Sequence, residues 1–349
     1  MEKLLTVAVP CYNSAWCLDK CLSSFITEPV LDRLEVIIIN DGSTDGTFGV
    51  ASKYLEQYPH IFRLIDKENG GHGSGINAAI QQAAGEYFKV VDSDDRIITE
   101  NLKQFMDILA ETNADAVITH FHTTDMVSGK TREYKTKCIP LDKIYTLDEF
   151  TAYPGDIYPC TVIHGLTYRT ALYRDNKIVL SEGIFYEDQE YAAFPFTWIK
   201  TVLPLDMFLY EYMVGNENQS VSAKNQVKNL GHVEQVVRNL FYWYYNNSVV
   251  SEGARRFIAR KATDMLLSYY VIALVKNPDK AAGRREVARV RKKMQALEPA
   301  LAAETNSMYR LALIMNFMKF TDKTLEMMKH PLPYALFRMI FKHNRRFAR

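Results

Sequence analysis

A chain of 349 residues with 48% apolar and 24% charged side chains has the make-up of a soluble globular protein with room for two domains, and this excludes a disordered chain. The formal net charge of +1 hides an asymmetry. Residues 1–215 carry 18 Lys+Arg and 31 Asp+Glu, whereas residues 216–349 carry 24 and 10, so two domains with that boundary and different partners are expected.

Five cysteines (Cys11, Cys17, Cys21, Cys138, Cys160) include no CxxC pair, which points away from a zinc ribbon or disulfide framework and toward a reducing compartment. The N-terminus lacks the apolar run and cleavage site of a signal peptide. No stretch reaches the ~18 apolar residues of a membrane span. A cytoplasmic protein is expected.

In chain order, "LLTVAVP" (4–10), "LEVIIIN" (34–40), "IFRLID" (61–66), "YFKVVD" (87–92) and "DAVIT" (115–119) are short β-branched runs of the kind buried in a parallel sheet. Helical stretches at 15–27, 44–57, 74–84 and 99–112 separate them, giving a doubly wound α/β sheet. Ligands bind beyond the carboxyl ends of such strands. That rule aligns "PCYN", "NDGSTD", "ENGGHGSG" and "DSDD" on one rim. Residues 120–215 are mixed, with the turn-rich "YPGDIYPC" and then "FYEDQEY". From about 225 the spacing is helical to the end.

Each rim motif has a chemical and a purely structural reading. In "NDGSTDGT" (40–47), Asp41 can accept a hydrogen bond from a base; equally, the stretch is a βα turn with Ser43 or Thr44 as a helix cap. "NGGHGSGINAAI" (69–80) contains Gly73-x-Gly75-x-x-Ala78, a loose dinucleotide fingerprint that keeps a nicotinamide- or flavin-dependent oxidoreductase as a rival. Its glycines follow the third strand rather than the first. In "VDSDD", three carboxylates within four positions (Asp92, Asp94, Asp95) repel one another, and Mg²⁺ or Mn²⁺ sharing a diphosphate would compensate them; a capped turn through Ser93 or Asp95 is the alternative. In "FYEDQEY" (185–191), aromatic neighbours can raise a carboxylate toward the range of a general base, against the plainer reading of a solvated helix start.

Together "VAVPCYN", "EVIIINDGSTDGT", "NGGHGSGINAAIQQAAGEYFKVVDSDD" and "FYEDQEY", in this order over roughly the first 215 residues, resemble the family 2 glycosyltransferases of the GT-A fold, of the kind that build bacterial surface polysaccharides. The resemblance implies a Rossmann-like, mostly parallel GT-A sheet in a catalytic domain spanning 1–215, and the charge balance and helical spacing beyond it imply a basic α-helical domain spanning 216–349. It implies inverting, metal-dependent transfer of a sugar from a nucleotide-diphosphate sugar, usually a UDP-sugar, to a hydroxyl of a glycan or polyprenyl-linked acceptor. Pro10, Tyr12, Asn13, Asp41, Gly42, Ser43, Asn69, Gly73, Asp92 and Ser93 would then bind the nucleotide. Asp92, Asp94 and Asp95 would hold Mn²⁺ or Mg²⁺, with Asp188 as base and Glu187 as its supporting neighbour.

The Gln-x-x-Arg-Trp motif of processive relatives is missing, which implies addition of one sugar per visit. Ser220 and Ser222 in "YEYMVGNENQSVSAK" resemble the family's closing segment without its arginine, a charge that Lys224 can supply. His164 is a candidate for contact with the diphosphate or acceptor, against the reading of a packed histidine. A non-catalytic sugar-nucleotide or partner-binding module remains an alternative.

The last stretch, "YALFRMIFKHNRRFAR" (334–349), is basic and amphipathic. It reads either as a peripheral contact with an anionic membrane or as a helix packed on the domain. Nucleic acid is not expected as a partner, because "FYWYYN" (241–246) reads as helical core.

Overall fold

A computed structural model describes residues 3–215, 222–247 and 250–324. These divide into two compact units, one of residues 3–215 with 250–258, the other of residues 222–247 with 259–324. The first unit therefore includes a segment that a single cut at 215/216 assigns to the second. The physical reason is local: Gly253 N donates to Asp148 Oδ1 (2.5 Å), and the Phe257 ring stacks on Phe196 with centroids 3.5 Å apart.

The first unit begins β1 (Leu5–Cys11), α1 (Leu18–Ser23), β2 (Leu34–Asp41), α2 (Thr47–Gln57), β3 (Phe62–Lys67), α3 (His72–Gln82) and β4 (Tyr87–Val90). It continues with β5 (Arg96–Ile97), α4 (Thr99–Glu111), β6 (Ala116–Asp125), β7 (Thr131–Tyr134), β8 (Tyr145–Thr146) and α5 (Leu147–Ala152). The remaining elements are β9 (Leu166–Arg169), α6 (Thr170–Asp175), α7 (Asp188–Ala193) and β10 (Thr201–Val214). Every residue of β1 and β2 is buried, as β-branched runs covered on both faces require. β3 is half-exposed, fitting its place at the sheet edge.

All ten strands form one sheet in the order β3-β2-β1-β4-β9-β6-β10-β5, with β7 added to β6 and β8 to β10. β3, β2, β1 and β4 are parallel, as is the β6–β10 pair. β9 runs antiparallel between β4 and β6. The order reverses at β1: successive strands go to β2 and β3 on one side, then return to β4 on the other. This switch point opens a crevice at the carboxyl ends of β1 and β4, where ligands of doubly wound sheets bind.

The second unit is helical, comprising α8 (Ala223–Lys228), α9 (Leu230–Asn246), the later part of α10 (Glu252–Tyr270), a π turn (Val271–Lys276), α11 (Lys280–Leu297), α12 (Pro299–Ala303) and α13 (Asn306–Phe317). Buried Val233, Val236, Val237 and Leu240 on α9, and Val287, Val290 and Met294 on α11, follow the spacing of an amphipathic helix. Of the aromatic run 241–246, Phe241 is buried, while Tyr242 and Tyr245 are exposed. Among the described residues no helix is long and apolar enough to cross a membrane. The basic stretch 334–349 lies outside the described residues.

Candidate active site

Four loops meet at the rim because their polar groups satisfy one another. Asn13, at φ 51°, donates its N–H to Ser43 Oγ (3.0 Å), and its Oδ1 accepts from Thr44 N (2.9 Å). Ser14 Oγ lies 2.8 Å from Ser93 Oγ, tying the end of β1 to the end of β4. Tyr12 stands 56% exposed beside them. Pro10 ends in the sheet itself, paired with Ile39.

Asp41 is held from several sides. Its Oδ1 accepts from Lys67 Nζ (2.7 Å) and Gly70 N (2.9 Å), its Oδ2 accepts from Gly71 N (2.7 Å), and its carbonyl accepts from Asn69 Nδ2 (2.9 Å). It is a buried strut that shapes the loop after β3. Gly42 faces that loop, where a Cβ would come 2.7 Å from Asn69 N.

The same loop joins α3 to the "FYED" segment. A Cβ on Gly73 would lie 2.3 Å from Ser181 O and 2.8 Å from Glu187 Cγ, so only glycine lets the two backbones approach. Gly183 N donates to Gly70 O (2.7 Å), and Asn77 exchanges bonds with the backbone of Leu180. Gly73 and Gly75 thus sit inside α3 and pack on protein. The dinucleotide reading of these glycines is overturned: they do not line a turn after the first strand, and the space beside Gly73 is filled by Ser181 and Glu187.

This seam delivers Glu187 and Asp188 to the rim. Glu187 is buried just ahead of α7, and Asp188 is the first residue of that helix. Tyr186 before them has φ 73°, an unusual backbone for a bulky side chain and of the kind found at functional sites. Burial, followed by the charge of Glu187, pushes the Asp188 carboxyl up to about 6.

The acidic group at the end of β4 is arranged unequally. Asp95 is buried, with its oxygens bonded by Tyr210 Oη (2.5 Å) and Met213 N (2.7 Å). Burial, then the charges of Asp92 and Asp94, holds its carboxyl well above the usual range. His72, at the start of α3, places Nε2 2.9 Å from Asp92 Oδ1 and Nδ1 2.6 Å from Glu187 Oε1. Burial alone would lower its pKa; the two carboxylates outweigh burial and raise it well above the ordinary imidazole value.

The donor set at the end of β4 fits a divalent ion. Ligand atoms of Asp92, Asp95 and His164 lie within 4.8 Å of one another; Asp94, half-buried, is not part of that group. His164 Nδ1 is buried without a hydrogen-bond partner, and burial lowers the ring's pKa to about 4, leaving a neutral nitrogen ligand. The two carboxylates suit Mn²⁺ or Mg²⁺, and the imidazole nitrogen favours the softer Mn²⁺ of the two. His164 is stacked on Tyr212 (4.3 Å), and its carbonyl accepts from the buried Lys89 Nζ (2.8 Å).

Residues 6–177 match the family model "Glycosyl transferase family 2". The chain is 27% identical over 298 residues to the glycosyltransferase YibD of Escherichia coli, covering 77% of this chain and 83% of that protein. The chain belongs to glycosyl transferase family 2. Two solved structures establish the GT-A fold. Staphylococcus aureus TarS in complex with UDP gives a TM-score of 0.58 at 20% identity, over 89% of this chain and 90% of that one. A mannosyltransferase of Pyrobaculum calidifontis in complex with GDP-Man and Mn²⁺ gives 0.53 at 17%, over 90% and 84%.

For this family 2 glycosyltransferase, sequence reasoning passed over His72, Lys89 and Tyr210, all in contact with the rim's acids or with His164. The available signals were a histidine inside a glycine run and a lysine inside a buried strand. Ser220 lies outside the described residues. Ser222 belongs to the second unit, where its Oγ caps α8 by accepting from Asn225 N, and Lys224 lies on the same helix.

Proposed function

We propose that this glycosyltransferase is an inverting, metal-dependent, non-processive enzyme that moves a sugar from a nucleoside diphosphate sugar, UDP-linked in the first instance, to a hydroxyl of a glycan or lipid-linked acceptor. The observation that carries the reading is Asp188: a carboxylate at the rim with a pKa of about 6, on the segment that the glycine seam fastens beside the acids of β4. The nucleotides in the TarS complexes with UDP and UDP-GlcNAc, and in the GDP-Man mannosyltransferase, support the donor class.

In this reading Asn13, Ser43 and Tyr12 frame the nucleoside, and Asp92, Asp95 and His164 would hold Mn²⁺ or Mg²⁺. The ion supplies compensation for the negative charge that develops on the departing diphosphate. Asp188 takes the proton of the acceptor hydroxyl as its oxygen bonds to the anomeric carbon. The bond from that carbon to the diphosphate oxygen breaks on the opposite face, so one displacement inverts the centre. Burial, and after it the charge of Glu187, keeps Asp188 basic.

Asp188→Asn should lower kcat about a thousandfold, within the range of general base removal. Calorimetric binding of UDP with Mn²⁺ should persist. Turnover near the parent rate in that variant overturns the role. Peripheral attachment to an anionic membrane through 334–349 is a separate proposal, resting on the sequence of that stretch; vesicle sedimentation unchanged on its removal defeats it.

A further inference from the structure

We infer that His72 is a positioning residue that registers the proton-accepting segment against the donor-side acid, through its bond to Glu187. The inference rests on the reading of Asp188 as the base. His72 unites three segments distant in sequence: the start of α3, the end of β4 through Asp92, and the residue preceding α7 through Glu187. Both ring nitrogens are engaged, at 2.6 Å to Glu187 and 2.9 Å to Asp92.

The two arms differ in what depends on them. The Glu187 side chain is 3% exposed, and among the described residues the His72 ring is the only partner of its carboxylate. A buried carboxylate without a partner is costly enough to move. Glu187 also anchors the first turn of α7, since its carbonyl accepts from Glu190 N (2.9 Å) and Tyr191 N (3.0 Å), and Asp188 is the next residue. Loss of the Nδ1 arm therefore displaces the base. Asp92 is more exposed, at 28% of its side chain, and can be reached by water or an ion without His72.

Asparagine and glutamine separate the arms, because the amide nitrogen of Asn lies where Nδ1 lies along the side chain, and that of Gln where Nε2 lies. His72→Asn keeps the bond to Glu187, so its kcat should fall by less than about tenfold. His72→Gln keeps the bond to Asp92 and frees Glu187; its kcat should fall by about a hundredfold, as a misplacement near 1 Å costs, with donor KM within about threefold of the parent. Calorimetry with UDP and Mn²⁺ gives a readout independent of turnover and should show binding in both variants.

Approached from the other partner, Glu187→Ala, which removes the acceptor altogether, should lower kcat at least as far as His72→Gln does, and adding His72→Gln to it should cost nothing more. Equal losses in the two His72 variants, or additive losses in the pair, overturn the inference. Failure of the underlying reading looks different: Asp188→Asn would then turn over. If only the His72 link is wrong, Asp188→Asn stays inactive while His72→Asn and His72→Gln behave alike.

Discussion

The amino end of β2 and the carboxyl end of β4 treat buried carboxylates in opposite ways. At the amino end, Glu35 in β2 accepts from Thr6 Oγ1 (2.6 Å), Ala84 N (2.8 Å) and Arg63 Nη1 (2.9 Å), while Thr6 Oγ1 itself accepts from Gly85 N (2.8 Å). One negative charge is met by three groups, one of them braced by a fourth. At the carboxyl end of β4, Asp92 and Glu187 share the His72 ring, and the carboxyls of Asp95 and Asp188 rise above their ordinary range. The difference separates a network that holds the sheet from one that awaits a ligand: unmet charge is retained only where an incoming cation or proton will complete it.

The sharpest way to break this comparison is Asp95→Asn. An amide keeps the shape of the carboxyl and removes the repulsion that burial and the charges of Asp92 and Asp94 impose on a buried carboxylate, so the melting temperature should hold or rise. Mn²⁺-dependent UDP affinity should fall by about 10–100-fold, the scale of lost metal-site support. A lower melting temperature with unchanged affinity would place Asp95 among the structural acids.

A smaller effect follows from pH. Asp188 must be ionised to act, so kcat/KM should rise tenfold per unit below about 6 and level off above it. The sign for stability is opposite. A carboxyl whose folded pKa exceeds the unfolded 3.8 favours the fold while protonated, and that contribution is lost as pH rises from 3.8 through about 6. Asp188→Asn should thus melt higher than the parent at pH 7. A flat rate profile from pH 4.5 to 7 would remove Asp188 from the role.

The smallest effect on rate belongs to the amino end. Glu35→Gln should cost about 1–3 kcal/mol of stability, the scale of charged hydrogen bonds lost to a neutral acceptor, with kcat changed less than about twofold. Chemical denaturation and steady-state rates on one preparation check both. A hundredfold rate loss there would erase the distinction between the two ends.

Much of this contrast was legible in the residues. Buried β-branched runs such as "VIII" mark their own strands, and the strand-end rule gathers four motifs onto one rim without coordinates. Pairing across sequence was not legible. His72 lies 20 residues from Asp92 and 115 from Glu187, and periodicity carries no trace of either contact. β10 hid for a related reason: its register against β6 shifts between Pro204 and Phe208, and a proline without a donor weakens the strand pattern. The closure of the loop after β3 on Asp41, whose partner Lys67 lies 26 residues away, was not legible either.

The close approach of residues 70–73 to 181–187 also bears on redesign. A library that diversifies this enzyme toward new sugars should leave that stitching unaltered, since any side chain added at Gly73 would pry the two walls of the cleft apart. The hairpin of β6 and β7, where Phe121 lies flat against Tyr134, offers variation a scaffold that does not carry the base.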